Sequence, residues 1–231
     1  MNGSFNLILY EISIWAIPAL IAITFHEASH GYVAHLLGDD TAWRQGRVSF
    51  NPLVHIDPFG TVVLPLMLLM LRSPFLFGYA KPVPVNFRAL RHPRLGTILV
   101  AAAGPGMNLL LATIAALAFH IVGYVPAPGA QWLAANLKNA LLLNVILAIF
   151  NLLPIPPLDG GRILVGVLPG VFARSLSRLE PYGLLILIGL LFILPPLLGA
   201  QFGIKLDPIS RLIMTSTNAV FGIILWLTGN I

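Results

Sequence analysis

The stretch AITFHEASHGYVAH, residues 22 to 35, sets two histidines and a glutamate at the end of a run that is otherwise nearly all apolar. Ionisable groups are expensive in hydrocarbon or in a protein interior, so an idle His-Glu cluster is disfavoured there. His26 and His30 are four residues apart. On a helix of about 3.6 residues per turn they point the same way, about 40° apart, which lets two imidazoles share one metal ion. Glu27 is turned by about 100° from His26, so it flanks such a site without replacing a ligand.

Outward from this motif the chain stays apolar. Of its 231 residues, 58% are hydrophobic and 9% charged, and mean hydropathy is +0.90. A soluble domain carries about 25% charged residues, so the composition specifies an integral membrane protein. Residues 6 to 37 read as one long helix, with Pro18 as a kink and Gly38 as its stop. Further apolar runs cover 95 to 124, 132 to 153, 182 to 199 and 208 to 229, and a shorter broken run covers 59 to 80. The stretch TAWRQGRVSFNP, 41 to 52, alternates like a strand and is expected to form a small β-hairpin. The expected fold is all-α and polytopic, with about five to six transmembrane helices. It forms one membrane-embedded domain over 1–231, with a catalytic core over about 6–168 and accessory helices over about 181–229. The N-terminal run lacks a basic leader and continues into the His-Glu motif, so it is not expected to be a cleaved signal. The net charge of +5 resides in short loops rather than in a basic patch interleaved with aromatics, which argues against nucleic acid as a partner. The lipid bilayer is the expected environment.

His26, Glu27 and His30 form the H-E-x-x-H arrangement of zinc metalloproteases. A catalytic zinc takes three protein ligands and keeps a fourth position open. Cysteine is absent, so the third ligand is a carboxylate or another histidine. Glu11 is about four turns from His26 on the same helix, out of reach. Asp39, Asp40 and Asp57 sit in turn-like sequence, and His35 points elsewhere on the helix. Asp159 closes NLLPIPPLDGG, 151 to 161, where three prolines and two glycines break an apolar helix. Irregular backbone at membrane depth is tolerated where protein buries it or it lines a wet cavity. Asp159 is therefore the expected third ligand.

HEASH in an apolar helix, GPGMN at 104 to 108 and NLLPIPPLDGG occur in that order. Together they resemble the site-2 protease family of intramembrane zinc metalloproteases. FNPLVHIDPFGT and YAKPVPVN further resemble its compact bacterial members, and the chain leaves no room for the PDZ or CBS domain of larger ones. The resemblance implies one Zn2+ per chain on His26, His30 and Asp159, with Glu27 activating water. It implies that Asn108 helps hold substrate or oxyanion. Asn151 and His55 are carried as further substrate-binding candidates. The implied partner is a transmembrane protein substrate, such as an anti-sigma-type regulator or a signal-peptide remnant, cleaved in regulated intramembrane proteolysis. A zinc-binding scaffold and a metal or ion transporter are the alternative classes. A structural zinc takes four protein ligands, and transporters show paired repeats; neither is visible.

A shared ion also fixes topology. The helix bearing His26 and His30 must run parallel to the 132 to 153 helix that precedes Asp159. The 59 to 80 run must then add no net crossing, and is expected to be re-entrant or interfacial. Ten of the thirteen Lys and Arg residues fall on the metal side in this arrangement. The positive-inside rule then turns the site to the cytoplasm, in a bacterial inner membrane, with the N-terminus outside and the C-terminus inside.

Overall fold

The computed structural model describes residues 2–70, 78–193 and 208–231. Among the described residues every regular element is helical. The long first helix, α1 (Asn2–Leu36), forms because nothing before Gly38 interrupts its apolar sequence except Pro18. It ends where Gly38 takes φ +106°, a conformation that glycine adopts without strain. Two more long helices follow, α4 (Pro93–Ala118) and α5 (Gly129–Asn151). These three are long and apolar enough to cross a membrane. The protein is an all-helical integral membrane protein.

Side-chain bonds between the helices give their directions. Trp132 and Asn139 of α5 donate to Ser13 Oγ and Ile14 O of α1. Further along both helices, Asn108 of α4 donates to Ala22 O and to Asn144 Oδ1 at 2.8 Å. Residue numbers rise together, so α1 and α5 are parallel, as a shared metal requires. On α4 the order is reversed, with Val100 beside His30 and Asn108 beside Ala22, so α4 is antiparallel to both. The α4/α5 seam is built from Ala112, Ala115 and Ala116 against Leu141 and Val145. Lipid tails are as apolar as leucine, so helix association here depends on close packing, which small residues permit.

The last helix, labelled α9 (Pro208–Leu227), corrects part of the expected topology. His120, just past α4, is bonded to Thr228 O at 2.7 Å, and Asn230 donates to Ala116 O at 3.0 Å. At its other end Ile213 packs with Leu153, Leu158 and Leu187 on the metal side. Helix α9 therefore runs with α4, and the C-terminus lies on the face opposite the expected metal, not on the same face. Arg211, at the start of α9, joins the metal side. Leu187 and Ile213 pack against one cluster on the metal side. The 182–199 run is a short turn at Glu180–Tyr182, α8 (Gly183–Ile188) and a wider-wound turn at Gly189–Ile193, with 194–199 outside the described residues. It adds no net crossing, so five to six spans are not what these contacts support. Each of α1, α4, α5 and α9 traverses the bundle once, in alternating directions.

The 59–80 segment also returns to where it began. A wide turn of helix, Pro58–Val63, leads into α3 (Leu64–Met70). At about 1.5 Å per residue this helical stretch rises roughly 20 Å, less than the hydrocarbon core of about 30 Å. Residues 71–77, Arg72 among them, lie outside the described residues. By Tyr79 the chain is back: Tyr79 N donates to Gly60 O at 3.0 Å and Lys81 N to His55 O at 2.9 Å. The segment contributes no net crossing.

The expected β-hairpin over 41–52 does not form. Thr41–Arg44 is one turn of helix, α2, and Pro52–His55 is a tight helical turn. The reason is side-chain competition for the backbone. Asp39 caps the first turn through Thr41 N. Arg47, which alternation placed in a strand, instead donates to the carbonyls of Val54, Lys81 and Pro82, tying the two segments together without a ladder.

The chain lacks cysteine, so single cysteines report topology cleanly. Cysteines replacing Gln45 and Arg88 are expected to react with an impermeant maleimide from one face, and those replacing Ala127 and Ile231 from the other. Labelling of positions 45 and 231 from the same face would overturn the direction assigned to α9.

Candidate metal centre

The site begins with two adjacent turns of α1. His26 and His30 project from it with ring centroids 4.7 Å apart. Each imidazole is fixed from behind. His26 Nδ1 donates to Asn108 Oδ1 at 2.6 Å, and His30 Nδ1 donates to Val100 O at 2.7 Å. Both partners belong to α4. A neutral ring with its proton on Nδ1 carries a bare lone pair on Nε2. The two Nε2 atoms lie 3.1 Å apart, with no proton between them.

The third group comes from the break after α5. Leu152–Leu158 turns tightly on itself through bonds such as Leu158 N to Ile155 O at 2.9 Å. Asp159 then opens α6 (Asp159–Val167). Two glycines make this fold possible. A Cβ on Gly160 would strike the carbonyls of Leu152 and Leu153, and one on Gly161 would strike Pro156 N. Asp159 Oδ2 arrives 3.2 Å from His26 Nε2 and 3.4 Å from His30 Nε2. Those short distances are not hydrogen bonds, because both imidazole protons are on Nδ1, and Oδ2 has no donor partner. All three residues are buried, His26 and His30 at 8% exposure and Asp159 at 6%.

One atom of each of the three groups thus lies within 4.8 Å of the others, and all three are acceptors. Among the described residues no lysine or arginine pairs with them. A divalent cation that takes imidazole nitrogen and carboxylate oxygen fits this set, and zinc is the ion for which two histidines, one carboxylate and an open fourth position suit catalysis.

Gly104 completes the cradle. Its Cα faces the two rings so closely that an added Cβ would collide with His30 Nε2 and with the His26 ring. The sequence signals this only as a glycine pair around Pro105 in an apolar helix. Other predicted groups have other places. Glu27 is half-buried, and its Oε2 accepts a bond from Val83 N at 2.9 Å. Asn108 is fully buried, with its oxygen on His26 and its nitrogen shared between Ala22 O and Asn144 Oδ1. It is placed to orient His26 and has no free donor for an oxyanion. Asn151 spends its amide on Leu147 O, one turn back, and makes no bond into the site. His55 bonds to Ser49 O, outside the three-residue cluster.

The remaining carboxylates near the motif are structural. Asp57 caps the wide turn through Phe59 N and Gly60 N. Asp39 receives Thr41 N and Asn86 N. His35 donates to Asp40 at 2.7 Å, and that bond holds the Asp40 carboxyl below its usual range.

Comparison with known proteins places this geometry. The model of peptidase family M50 matches residues 120–194. Among similar proteins, each named "Putative zinc metalloprotease", are YwhC of Bacillus subtilis, Rip2 of Mycobacterium tuberculosis and MJ0611 of Methanocaldococcus jannaschii. YwhC is 40% identical over 78% of this chain and 80% of its own. Rip2 is 29% identical over 80% of this chain and 68% of its own. MJ0611 is 28% identical over 70% of this chain and 73% of its own. The chain belongs to peptidase family M50. No solved structure matches it significantly. The family match takes in Asp159 but ends short of α1 on the N-terminal side, so in this M50 chain the histidine pair is joined to the matched region by the fold.

The wild-type protein, purified without chelator and offered zinc, is expected to hold about one zinc per chain, and Asp159→Ala much less. Gly104→Ala is expected to displace the rings, lowering zinc content and destabilising the bundle by about 1–3 kcal/mol, the usual cost of overpacking. Asn108→Ala is expected to weaken zinc binding by about 10–100-fold, as loss of a group that orients a ligand does. Elemental analysis and a zinc-competition titration measure all three.

Proposed function

We propose that the chain is an intramembrane zinc metalloprotease that hydrolyses peptide bonds of membrane-spanning proteins, with His26, His30 and Asp159 as the metal ligands. The observation that carries this reading is the convergence of three unprotonated acceptors beside Glu27. Zinc held there supplies a Lewis acid for the scissile carbonyl and lowers the pKa of water towards roughly 7.

The chain's own residues do the rest. Glu27 takes the proton from the attacking water and gives it to the departing amine. Asn108 and the Val100 carbonyl hold the imidazoles in the tautomer that presents Nε2. The packed bundle of α1, α4 and α5 keeps bulk water out and strengthens each electrostatic contact. A substrate helix unwinds before cleavage, because its carbonyls are otherwise bonded within the helix. The extended 78–87 segment, which lies over Glu27, is a surface on which an unwound stretch is held.

The charge distribution supports a site facing the cytoplasm of a bacterial inner membrane. Most described Lys and Arg residues outside the spans fall on the metal side, whereas Lys138 lies in the half of α5 away from the ligands. Four crossings, with the 58–80 and 183–207 stretches adding none, form one membrane-embedded domain with both termini outside. The substrate class that suits this arrangement is a single-span regulator or a signal-peptide remnant.

Glu27→Gln is expected to keep zinc at the wild-type level while losing nearly all cleavage of single-span peptides in detergent or nanodiscs, by at least about a hundredfold. Removal of zinc by chelation is expected to abolish wild-type cleavage, and re-addition to restore it. A Glu27→Gln protein that cleaved normally would remove Glu27 from the role of base.

A further inference from the structure

A cavity of about 230 Å³ lies between α1 and the re-entrant segment, apart from the three ligands. Leu20, Ile23 and Thr24 wall it on α1, and His55, Ile56 and Tyr79 on the other side. Its volume is below the 300–1,000 Å³ typical of drug-sized ligand pockets. It suits one side chain rather than a cofactor.

Its position relates it to the chemistry. Leu20, Ile23, Thr24 and Glu27 follow the i, i+3, i+4, i+7 spacing of one helix face. The cavity is therefore one turn, about 5 Å of rise, before the base along α1. An extended peptide advances roughly 3.3 Å per residue, so a residue one or two places from a bond held at Glu27 reaches it. Leu20 and Tyr79 at its edge are exposed, at 43% and 37%. Leu20 belongs to the apolar span of α1, so this edge faces lipid.

The polar side chains of the wall are Thr24, His55, Thr61 and Tyr79. His55 is buried, at 2% exposure. Its Nε2 donates to Ser49 O at 2.8 Å, while its Nδ1 has no partner among the described residues. With the proton on Nε2, the neutral ring leaves Nδ1 as an acceptor. A buried acceptor left unmade is costly. The cavity lies one turn from Glu27 on the same helix face, so a peptide that reaches the base also reaches the cavity.

We infer that this cavity is a substrate subsite. It receives one apolar side chain of the unwound peptide next to the scissile bond, packed between α1 and the His55–Ile56 wall. The inference rests on the protease reading and adds a specificity to it. Entry is lateral, from the bilayer, past Leu20 and Tyr79. The substrate class is a membrane-embedded segment with an aliphatic or aromatic residue beside the cleaved bond.

Two measurements test it, one of them independent of cleavage. In the first, zinc-loaded full-length protein in nanodiscs is given single-span peptides that differ at one position near the cleaved bond. Leu, Ile, Met or Phe at that position is expected to be favoured over Gly or Asp by at least tenfold in kcat/KM. Ile23→Trp fills the cavity and is expected to reverse the preference towards Gly and Ala, with zinc content unchanged. An unchanged preference in Ile23→Trp overturns the inference.

In the second, Ala80 in the cavity wall is replaced by cysteine in the Glu27→Gln background. Its reaction with N-ethylmaleimide is timed with and without the Leu-bearing peptide. At least a fivefold slowing, absent with the Asp-bearing peptide, is expected. No slowing overturns the subsite whether or not the wild type cleaves, as does protection by phospholipid alone. Slowing without cleavage by the wild type keeps the peptide site and discards the protease reading.

Discussion

Three lone pairs held against one another in an apolar bundle are the constraint around which this protein is arranged. With both imidazole protons on Nδ1, His26 Nε2, His30 Nε2 and Asp159 Oδ2 face one another as acceptors, and Oδ2 has no donor among the described residues. Leaving a buried polar group unmatched costs about 1–3 kcal/mol, and more when it is charged. A cation that completes the set would link metal affinity to fold stability. Bringing the three together dictates that α1 and α5 run parallel, with α4 antiparallel to both. It also requires small residues where helices cross. Gly104 is the sharpest case, because two imidazoles occupy the volume a side chain would fill.

The same economy explains the irregular backbone. Helical segments satisfy their own N–H and C=O groups, whereas broken ones need outside partners at membrane depth. After α5 these partners are local, as the carbonyls of Phe150, Leu153, Ile155 and Leu158 bond within a few residues. In the 78–87 segment side chains add to two backbone bonds, Tyr79 N to Gly60 O and Lys81 N to His55 O. Arg47 takes the carbonyls of Lys81 and Pro82, Asp39 takes Asn86 N, and Glu27 takes Val83 N. Pro82 and Pro84 on either side of Val83 have no N–H to offer.

Much of the centre was legible in the sequence because metal chemistry imposes local spacing. The four-residue interval of His26 and His30 works on a helix alone, and NLLPIPPLDGG could not continue as one. The parallel pairing of α1 and α5 followed from those ligands by geometry. What could not be read were relations set by packing between distant segments. Alternation suggested strands at 41–52, but Asp39 and Arg47 capture the backbone there. The run at 182–199 is apolar along its length, yet Leu187 within it packs with Ile213 of α9 on the metal side. Asn108 was visible as a motif residue. Its use as the support of His26 depends on α4 lying beside α1, which no local pattern states.

Helix α1 separates two tasks by angle. His26 and His30 face α4, where Asn108 and Val100 orient them. Glu27, about 100° further round, faces the 78–87 segment and the cavity below it. In the proposed reaction, metal binding and substrate contact would therefore occupy different sides of one rigid element. A change in the 58–80 segment would alter what reaches Glu27 without moving the proposed ligands, while a change at Gly104 would move them without touching the proposed path. Because Val83 N–H holds the Glu27 carboxylate, the 78–87 segment also sets the position of the proposed base. The peptide and the proton acceptor would thus be located by the same stretch of chain.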